Sequence, residues 1–197
     1  TRRKILISTQ VSGKSVLDDF AGASRGLGVV NQHNTLWDDL SCLDHLLFFA
    51  ALRTKVGHER IALTTLAQLE LSHHAHKMAG RLSGGMKRKL CCAVALVGDP
   101  HVVLLDEPSA GLDPVSQRNL WNLIKSTMTG RAVLLTTHSM LEADALCDRV
   151  GIQVRGQFHC VGSPQHLKDR YASGYELVAY LETADHEPAL GAHLQSK

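Results

Sequence analysis

The stretch Val102-Val103-Leu104-Leu105-Asp106-Glu107 decides the fold class. Its four consecutive apolar residues show no polar alternation, which is typical of a parallel strand buried on both faces. A predicted helix from Pro114 to about Met128 follows, and then a second apolar run from Ala132 to Thr136. Strand, helix and strand make a βαβ unit, so the sequence predicts an α/β fold with a parallel sheet.

A strand and two helices are predicted upstream of this unit. The strand covers residues 27–31, and a helix with one apolar face follows over about 38–55. Ser41 and Asp44 have the residue types of a capping box, which would move the helix start a little later. The second helix follows Ser83 and runs through residue 97.

A helix and a hairpin are predicted downstream of the second apolar run. Ser139 and Glu142 suggest a capping box on a helix that ends near Cys147. Residues 150–161 alternate around Arg155-Gly156, which predicts a hairpin.

The composition is that of an ordinary globular protein. Of the 197 residues, 44% are apolar and 20% are charged, which argues against the disordered and fibrous classes. The net charge of +2 gives no electrostatic argument for binding nucleic acid or an anionic membrane. The most apolar stretch, residues 46–52, is far shorter than the ~20 residues of a spanning helix, and no signal peptide is expected. A membrane role would therefore depend on segments outside this chain.

The cysteines and a histidine cluster are interpreted as structural. The five cysteines are odd in number and show no Cys-x-x-Cys spacing, which argues against a disulfide framework or a zinc ribbon and fits a reducing compartment. Cys91-Cys92 is interpreted as small-residue packing in a helix. His73, His74 and His76 are interpreted as solvated, because no cysteine or carboxylate near them completes a metal site.

Asp106 and Glu107 are the first candidates for chemistry. They follow the buried strand directly, so they lie at its carboxyl end, where open α/β sheets bind their ligands. A carboxylate there can hold Mg²⁺ while its neighbour faces a water that attacks a phosphate. We assign Asp106 to the metal and Glu107 to the water. The alternative is that Asp-Glu-Pro only ends a strand.

Leu82-Ser83-Gly84-Gly85 is a candidate anion site. Ser83 can cap the following helix, the glycines let backbone N–H groups approach an anion, and the helix N-terminus adds a positive dipole end. The expected ligand is a terminal phosphate, and the alternative is a flexible turn. The charge run Lys87, Arg88 and Lys89 is interpreted as a solvated helix face, the alternative being attraction of phosphates.

The order and spacing of these motifs resemble the ATP-binding-cassette (ABC) ATPases. The signature corresponds to Leu82 to Gly85, and the Walker B strand to Val102 to Glu107. The D-loop corresponds to Ser109 to Asp113, the switch histidine to His138 and the Q-loop glutamine to Gln32. The resemblance runs from about residue 12 to residue 178. It implies a P-loop NTPase (RecA-like) parallel-sheet core with an inserted helical signature subdomain at about residues 35–97.

The resemblance also implies a site for ATP and Mg²⁺. Glu107 and His138 would be catalytic, and Asp106 and Gln32 would meet the metal. The residues that would contact ATP are Gln32, Ser83, Gly84, Gly85 and Asp113. In the family two domains pair head to tail, so each signature completes the site of its partner.

Three further segments resemble the A subfamily of full-length eukaryotic transporters, many of which move lipids. They are residues 32–40, 86–90 and 162–168. The implied function is ATP hydrolysis coupled to transmembrane lipid transport. The implied partners are a second nucleotide-binding domain and transmembrane domains, with no nucleic acid, at the cytosolic face of a membrane.

No Walker A phosphate loop of the form G-x-x-x-x-G-K-[ST] is recognisable in the sequence. Gly13-Lys14-Ser15 is the candidate, but Ser8 occupies the position of the first glycine. Lys14 also lies only 18 residues before Gln32, too few for the helix and strands that the family places between these motifs. We interpret Gly13-Lys14-Ser15 as a turn into a strand.

The predicted organisation is an N-terminally truncated, partial nucleotide-binding domain over residues 1–174 and the start of a C-terminal extension over 175–197. Two functions remain open. One is a transporter ATPase, and the other is a hydrolysis-deficient interaction module that lends Ser83 to Gly85 to a partner domain. A soluble cassette protein acting on DNA or ribosomes is disfavoured by the modest charge and the absence of a long coiled-coil insertion.

Overall fold

The computed structural model describes residues 10–171. Its strands are β1 (Gln10–Val11), β2 (Lys14–Ser15), β3 (Leu27–Val30), β4 (Val102–Asp106), β5 (Ala132–Thr136), β6 (Val150–Val154) and β7 (Gln157–Gly162). Its α-helices are α1 (Phe20–Arg25), α2 (Cys42–Arg53), α3 (His58–Gln68), α4 (Gly84–Leu96), α5 (Pro114–Thr127), α6 (Met140–Leu146) and α7 (Pro164–Tyr171). Two short 3₁₀ turns, Ser72–His74 and Ala79–Arg81, lie between α3 and α4.

A parallel sheet in the order β3-β4-β5 organises the larger of two compact units, whose described residues are 10–150. The register places Val30 beside Leu105, and Asp106 beside Thr136. Helix α5 connects β4 to β5, so the predicted βαβ unit and α/β fold are confirmed. Strand β3 ends one residue earlier than predicted, at Val30.

The core lies on one face of this sheet. Val30, Val103 and Leu105 are buried there with apolar side chains from α2, α3, α4 and α5. On the strands of the sheet, Val29 is 43% exposed and Leu134 is 63% exposed. The expected burial on both faces is therefore wrong for β5 within residues 10–171, because Val133 on its other face is also 40% exposed. On β4, Val102 and Leu104 are half-buried.

Side-chain caps set the starts of α2 and α5. Helix α2 begins at Cys42 behind a complete capping box of Ser41 and Asp44, so the later of the two predicted starts is confirmed. Hydrogen bonds from the Ser41 hydroxyl and amide hold the pKa of Asp44 below its ordinary value. Asp113 caps α5, with Pro114 in the first helical position.

The predicted capping box of α6 is only half formed. The Ser139 hydroxyl accepts a hydrogen bond from the Glu142 amide. The Glu142 side chain does not return to the cap, because its Oε1 accepts from Trp121 Nε1 on α5 at 3.0 Å. Glu142 is only 1% exposed, so this buried carboxylate ties α6 to α5.

Arg88 on α4 is buried at 3% exposure, so the prediction of a solvated face was wrong for this residue. Its guanidinium donates to five backbone carbonyls within 3.2 Å, namely those of Asn31, Gln32, Asp106, Glu107 and Pro108. A planar fork of five N–H donors can serve several converging acceptors at once, which an ammonium group cannot match. The neighbouring Lys87 and Lys89 instead pair with Asp38 and Glu70.

Cys91 and Cys92 are buried in the core as packing residues, as predicted. Cys42, Cys91 and Cys92 are buried and unpaired by disulfides. Burial raises the pKa of Cys92 to about 12, so its thiol stays protonated and unreactive. Among residues 10–171 no three His, Cys, Asp or Glu side chains gather as a metal site, and His73 and His74 lie in an exposed 3₁₀ turn.

The second compact unit begins at Gly151. Within it β6 and β7 form the predicted hairpin, with Arg155 and Gly156 at positive φ in the turn. Helix α7 follows at Pro164 and buries Leu167. The predicted extension over 175–197 lies outside the described residues, and the domain boundaries stay a prediction. None of the helices within residues 10–171 is long and apolar enough to cross a bilayer.

Replacing Arg88 by methionine tests how much its hydrogen bonds to the five backbone carbonyls contribute to stability. We expect Arg88→Met to lower the free energy of unfolding by about 3 kcal/mol, because buried acceptors lose their donor. Lys87→Met, which removes only a surface ion pair, should cost less than about 1 kcal/mol. Urea unfolding of both variants measures the difference. Equal stability of the two variants would contradict the structural role of Arg88.

Candidate active site

Three strand ends bring the predicted site residues together. Strand β4 ends at Asp106 and Glu107 follows it, while Gln32 and His138 each lie two residues beyond the ends of β3 and β5. Because the carboxyl ends of parallel strands share one edge of the sheet, these four side chains lie at the same edge.

The Glu107 carboxylate lies between Gln32 and His138. Its Oε2 accepts a hydrogen bond from Gln32 Nε2 at 3.0 Å, and its Oε1 lies 3.3 Å from His138 Nδ1. The Glu107 side chain is 27% exposed and that of His138 is 77% exposed. The three side chains thus form one contact group that an incoming ligand can still reach.

The backbone at Glu107 is strained. Its φ of +44° lies in the left-handed region, which is uncommon for a residue with a Cβ. The Glu107 amide donates to the Thr136 carbonyl at 3.0 Å, and Arg88 binds the Glu107 carbonyl at 3.1 Å. These bonds hold the strained conformation from two sides, as is common where strain serves a site.

Thr136 is a site residue that the sequence reasoning missed. Its hydroxyl donates to Asp106 Oδ1 at 2.5 Å and also lies 3.3 Å from the Glu107 amide, which donates to it. The signal was available, because Thr136 ends the second apolar run and parallel register places it beside Asp106. Thr136 orients the carboxylate assigned to the metal.

The oxygen atoms at this edge fit Mg²⁺. Asp106 supplies a carboxylate, and Gln32 has its side-chain carbonyl available because its Nε2 faces Glu107. Mg²⁺ is commonly held by one or two protein oxygens together with substrate phosphates and water, so a full cage of protein ligands is not required.

The signature forms a second group. Ser83 caps α4 by accepting a hydrogen bond from the Met86 amide, and a Cβ on Gly85 would lie 3.3 Å from Ser116 Oγ on α5. The start of α4 thus packs against the start of α5. Within residues 10–171, no hydrogen bond joins Ser83, Gly84 or Gly85 to the carboxylates at the strand ends.

Asp113 is occupied as a helix cap. Its Oδ1 accepts from the amides of Val115 at 3.1 Å and Ser116 at 3.0 Å. Hydrogen bonds from the Ser116 side chain and backbone hold the pKa of Asp113 below its ordinary value. Its predicted contact to ATP stays a prediction, as do the roles assigned to the other site residues.

Lys14 lies on a β-hairpin. Strands β1 and β2 are antiparallel, with Ser12 and Gly13 at positive φ in the turn between them. The Lys14 ammonium pairs with Asp19 at 3.7 Å. A phosphate loop leads from a strand into a helix, so the hairpin agrees with the prediction of a turn into a strand.

Comparisons with known proteins find relatives over most of this chain. Residues 48–144 match a family described as "AAA domain, putative AbiEii toxin, Type IV TA system". The chain is 43% identical over 181 residues to ABC transporter A family member 3 of Arabidopsis thaliana, covering 90% of this chain and 19% of that protein. It is 45% identical over 183 residues to the phospholipid-transporting ATPase ABCA7 of Homo sapiens, covering 91% of this chain and 8% of that protein.

A solved structure shares the fold. The ATP binding subunit of an ABC transporter superposes with a TM-score of 0.68 at 23% identity, covering 82% of this chain and 69% of that one. The core therefore shares the fold of that ATP binding subunit, the P-loop NTPase fold. Together with the relatives, this establishes that the chain belongs to the nucleotide-binding domains of the ABC transporters, with relatives in the A subfamily.

Proposed function

We propose that this chain binds and hydrolyses ATP with Mg²⁺ as part of an A-type ABC transporter. The observation that carries the proposal is the Glu107 carboxylate, held between Gln32 Nε2 and His138 Nδ1 at the end of the central strand. This places a base beside Asp106, the carboxylate suited to the metal. The relatives that span this region are named as transporters.

Glu107 is proposed to orient the attacking water and to accept its proton. The strained backbone and the Arg88 and Thr136 bonds fix the main chain from which its side chain projects. A fixed base removes the need to reorganise at the moment of attack. Mg²⁺, when bound, would neutralise charge that develops on the phosphates.

His138 and Gln32 are proposed to hold Glu107 and to meet the ligand. His138 is exposed, so in the doubly protonated ring Nδ1–H faces Glu107 while Nε2–H can donate to a phosphate oxygen. The Gln32 side-chain carbonyl can bind the metal that Asp106 also binds. Removal of either residue would leave Glu107 with a single neighbour.

The partner proposed for the signature is a second nucleotide-binding domain. Ser83, Gly84 and Gly85 form the N-terminus of a 13-residue helix, where backbone N–H groups and the helix dipole favour an anion. Because no hydrogen bond in residues 10–171 joins them to the Glu107 group, they are suited to a phosphate held by the partner. The proposal also includes transmembrane domains as partners and a location at the cytosolic face of a membrane. A lipid cargo is proposed by analogy with the human relative's name.

A second candidate function is a hydrolysis-deficient module that only lends its signature. The Lys14 hairpin favours it, since Lys14 pairs with Asp19 and does not open a helix. The two functions differ in whether Glu107 is needed for turnover.

Glu107→Gln distinguishes them in the assembled transporter. The amide keeps the size of the side chain but cannot accept a proton, so we expect kcat for ATP hydrolysis to fall about 10²-fold or more with ATP binding retained. Glu70→Gln, a change at an exposed carboxylate, is the matched control. Phosphate release measures both. An unchanged rate in Glu107→Gln would favour the non-hydrolysing module.

Lys14→Ala tests the assignment of the hairpin. Without the partner's signature, we expect this chain to bind ATP weakly. The substitution should change that affinity by less than about twofold, because the Lys14 ammonium pairs with Asp19. Titration with a fluorescent ATP analogue measures the affinity. A large loss of binding would show that Gly13-Lys14-Ser15 holds phosphate after all.

A further inference from the structure

His45 is a buried histidine that the proposed chemistry does not use. It lies in the first turn of α2 and is 0% exposed. Both of its ring nitrogens are engaged. The Trp37 backbone N–H donates to Nε2 at 3.0 Å, and Nδ1 lies 2.8 Å from the Ser41 carbonyl oxygen.

These two partners fix the state of the ring. A carbonyl oxygen only accepts, so Nδ1 carries the proton and donates it to Ser41. A backbone N–H only donates, so Nε2 presents its lone pair to Trp37. The contacts at His45 are therefore satisfied by the neutral imidazole with its proton on Nδ1, and by no other form of the ring.

The Trp37 indole packs against aromatic side chains of α2. Its ring stacks on His45 with centroids 5.6 Å apart and on Phe49 with centroids 5.9 Å apart. Phe48 meets it edge-on at 5.3 Å. The backbone bond and the ring contacts together fix Trp37 on α2, although its surface is 48% exposed.

The segment fixed in this way carries Gln32. Residues 31–41 connect β3 to α2, and Arg88 holds their start through the carbonyls of Asn31 and Gln32. His45 holds Trp37, and between these two points Cys91 Sγ donates to Asn34 Oδ1 at 3.5 Å. Beyond Trp37, the carbonyls of Asp38 and Leu40 accept from the amides of Gly80 and Ala79. Arg88 at the start, where Gln32 lies, and His45 at the end thus clamp the stretch 31–37.

We propose that His45 is a positioning residue for Gln32, acting as a neutral Nδ1–H imidazole that accepts a hydrogen bond from the Trp37 N–H and holds the end of the stretch 31–37. The inference rests on the proposed function for the role of Gln32 beside Glu107. The clamp itself rests on the contacts of His45 alone.

Three substitutions separate the clamp from simple packing. In His45→Gln, the side-chain oxygen can reach the position of Nε2 and accept from Trp37. In His45→Asn, the shorter amide can replace the Nδ1–H bond to Ser41 but cannot reach Trp37. His45→Leu fills the space and restores neither bond.

Amide exchange and side-chain resonances in the ¹⁵N-labelled chain test the clamp. We expect the Trp37 amide to exchange about tenfold faster in His45→Asn and His45→Leu than in wild type, and near the wild-type rate in His45→Gln. The Gln32 side-chain amide resonance should shift in the same two variants. The ring nitrogens of wild-type His45 should show the neutral Nδ1–H form. This measurement tests the proposed hydrogen bonds of His45 even where a variant does not fold. An Nε2–H or doubly protonated ring, or equal Trp37 exchange in His45→Asn and His45→Gln, would overturn the proposal.

Kinetics in the assembled transporter link the clamp to Gln32. We expect kcat for ATP hydrolysis to fall in His45→Asn with KM for ATP little changed, and His45→Gln to restore it. Wild-type rates in both variants would overturn the role of His45. Absence of hydrolysis in the wild type would instead refute the proposed function, and the exchange data would still decide the clamp.

Discussion

The hydrogen bonds from the buried Arg88 guanidinium are the constraint on which the rest of the structure depends. One side chain on α4 binds the carbonyls that follow β3 and β4, so the helical layer and the sheet are fixed to each other at the edge where the site lies. The same helix begins at Ser83. A single element therefore sets the position of the signature and the direction of the chain that carries Gln32 and Glu107.

The chemistry of the site follows from this geometry. The chain leaving β4 must turn sharply to reach Pro108, and Glu107 makes that turn at positive φ between bonds to Thr136 and Arg88. Its carboxylate then has Gln32 on one oxygen and His138 on the other. A base whose main chain and side chain are both restrained suits in-line attack on a phosphate, where positioning and electrostatics supply most of the rate.

Local sequence patterns predicted the helices and strands, but they could not predict contacts between residues far apart in the sequence. The apolar runs correctly predicted β4 and β5, and Asp113 with Pro114 correctly predicted the start of α5. These predictions succeeded because each signal lies within a few neighbouring residues. Arg88 was misread because burial of its charge depends on carbonyls about 20 and 57 residues away. The Glu142 side chain likewise accepts a hydrogen bond from Trp121 instead of forming the predicted capping bond. The set of site residues at the strand ends could be predicted from topology, but their hydrogen bonds could not.

The central claim is that Glu107, Gln32, His138 and Asp106 form one ATP site completed by the signature of a second domain. A structure of the assembled transporter with Mg²⁺ and a non-hydrolysable ATP analogue tests it most directly. We expect Asp106 and the Gln32 carbonyl to hold the metal, and the terminal phosphate to face Glu107 and the partner's signature. Nucleotide bound elsewhere, or a Glu107 carboxylate turned away from the terminal phosphate, would contradict it.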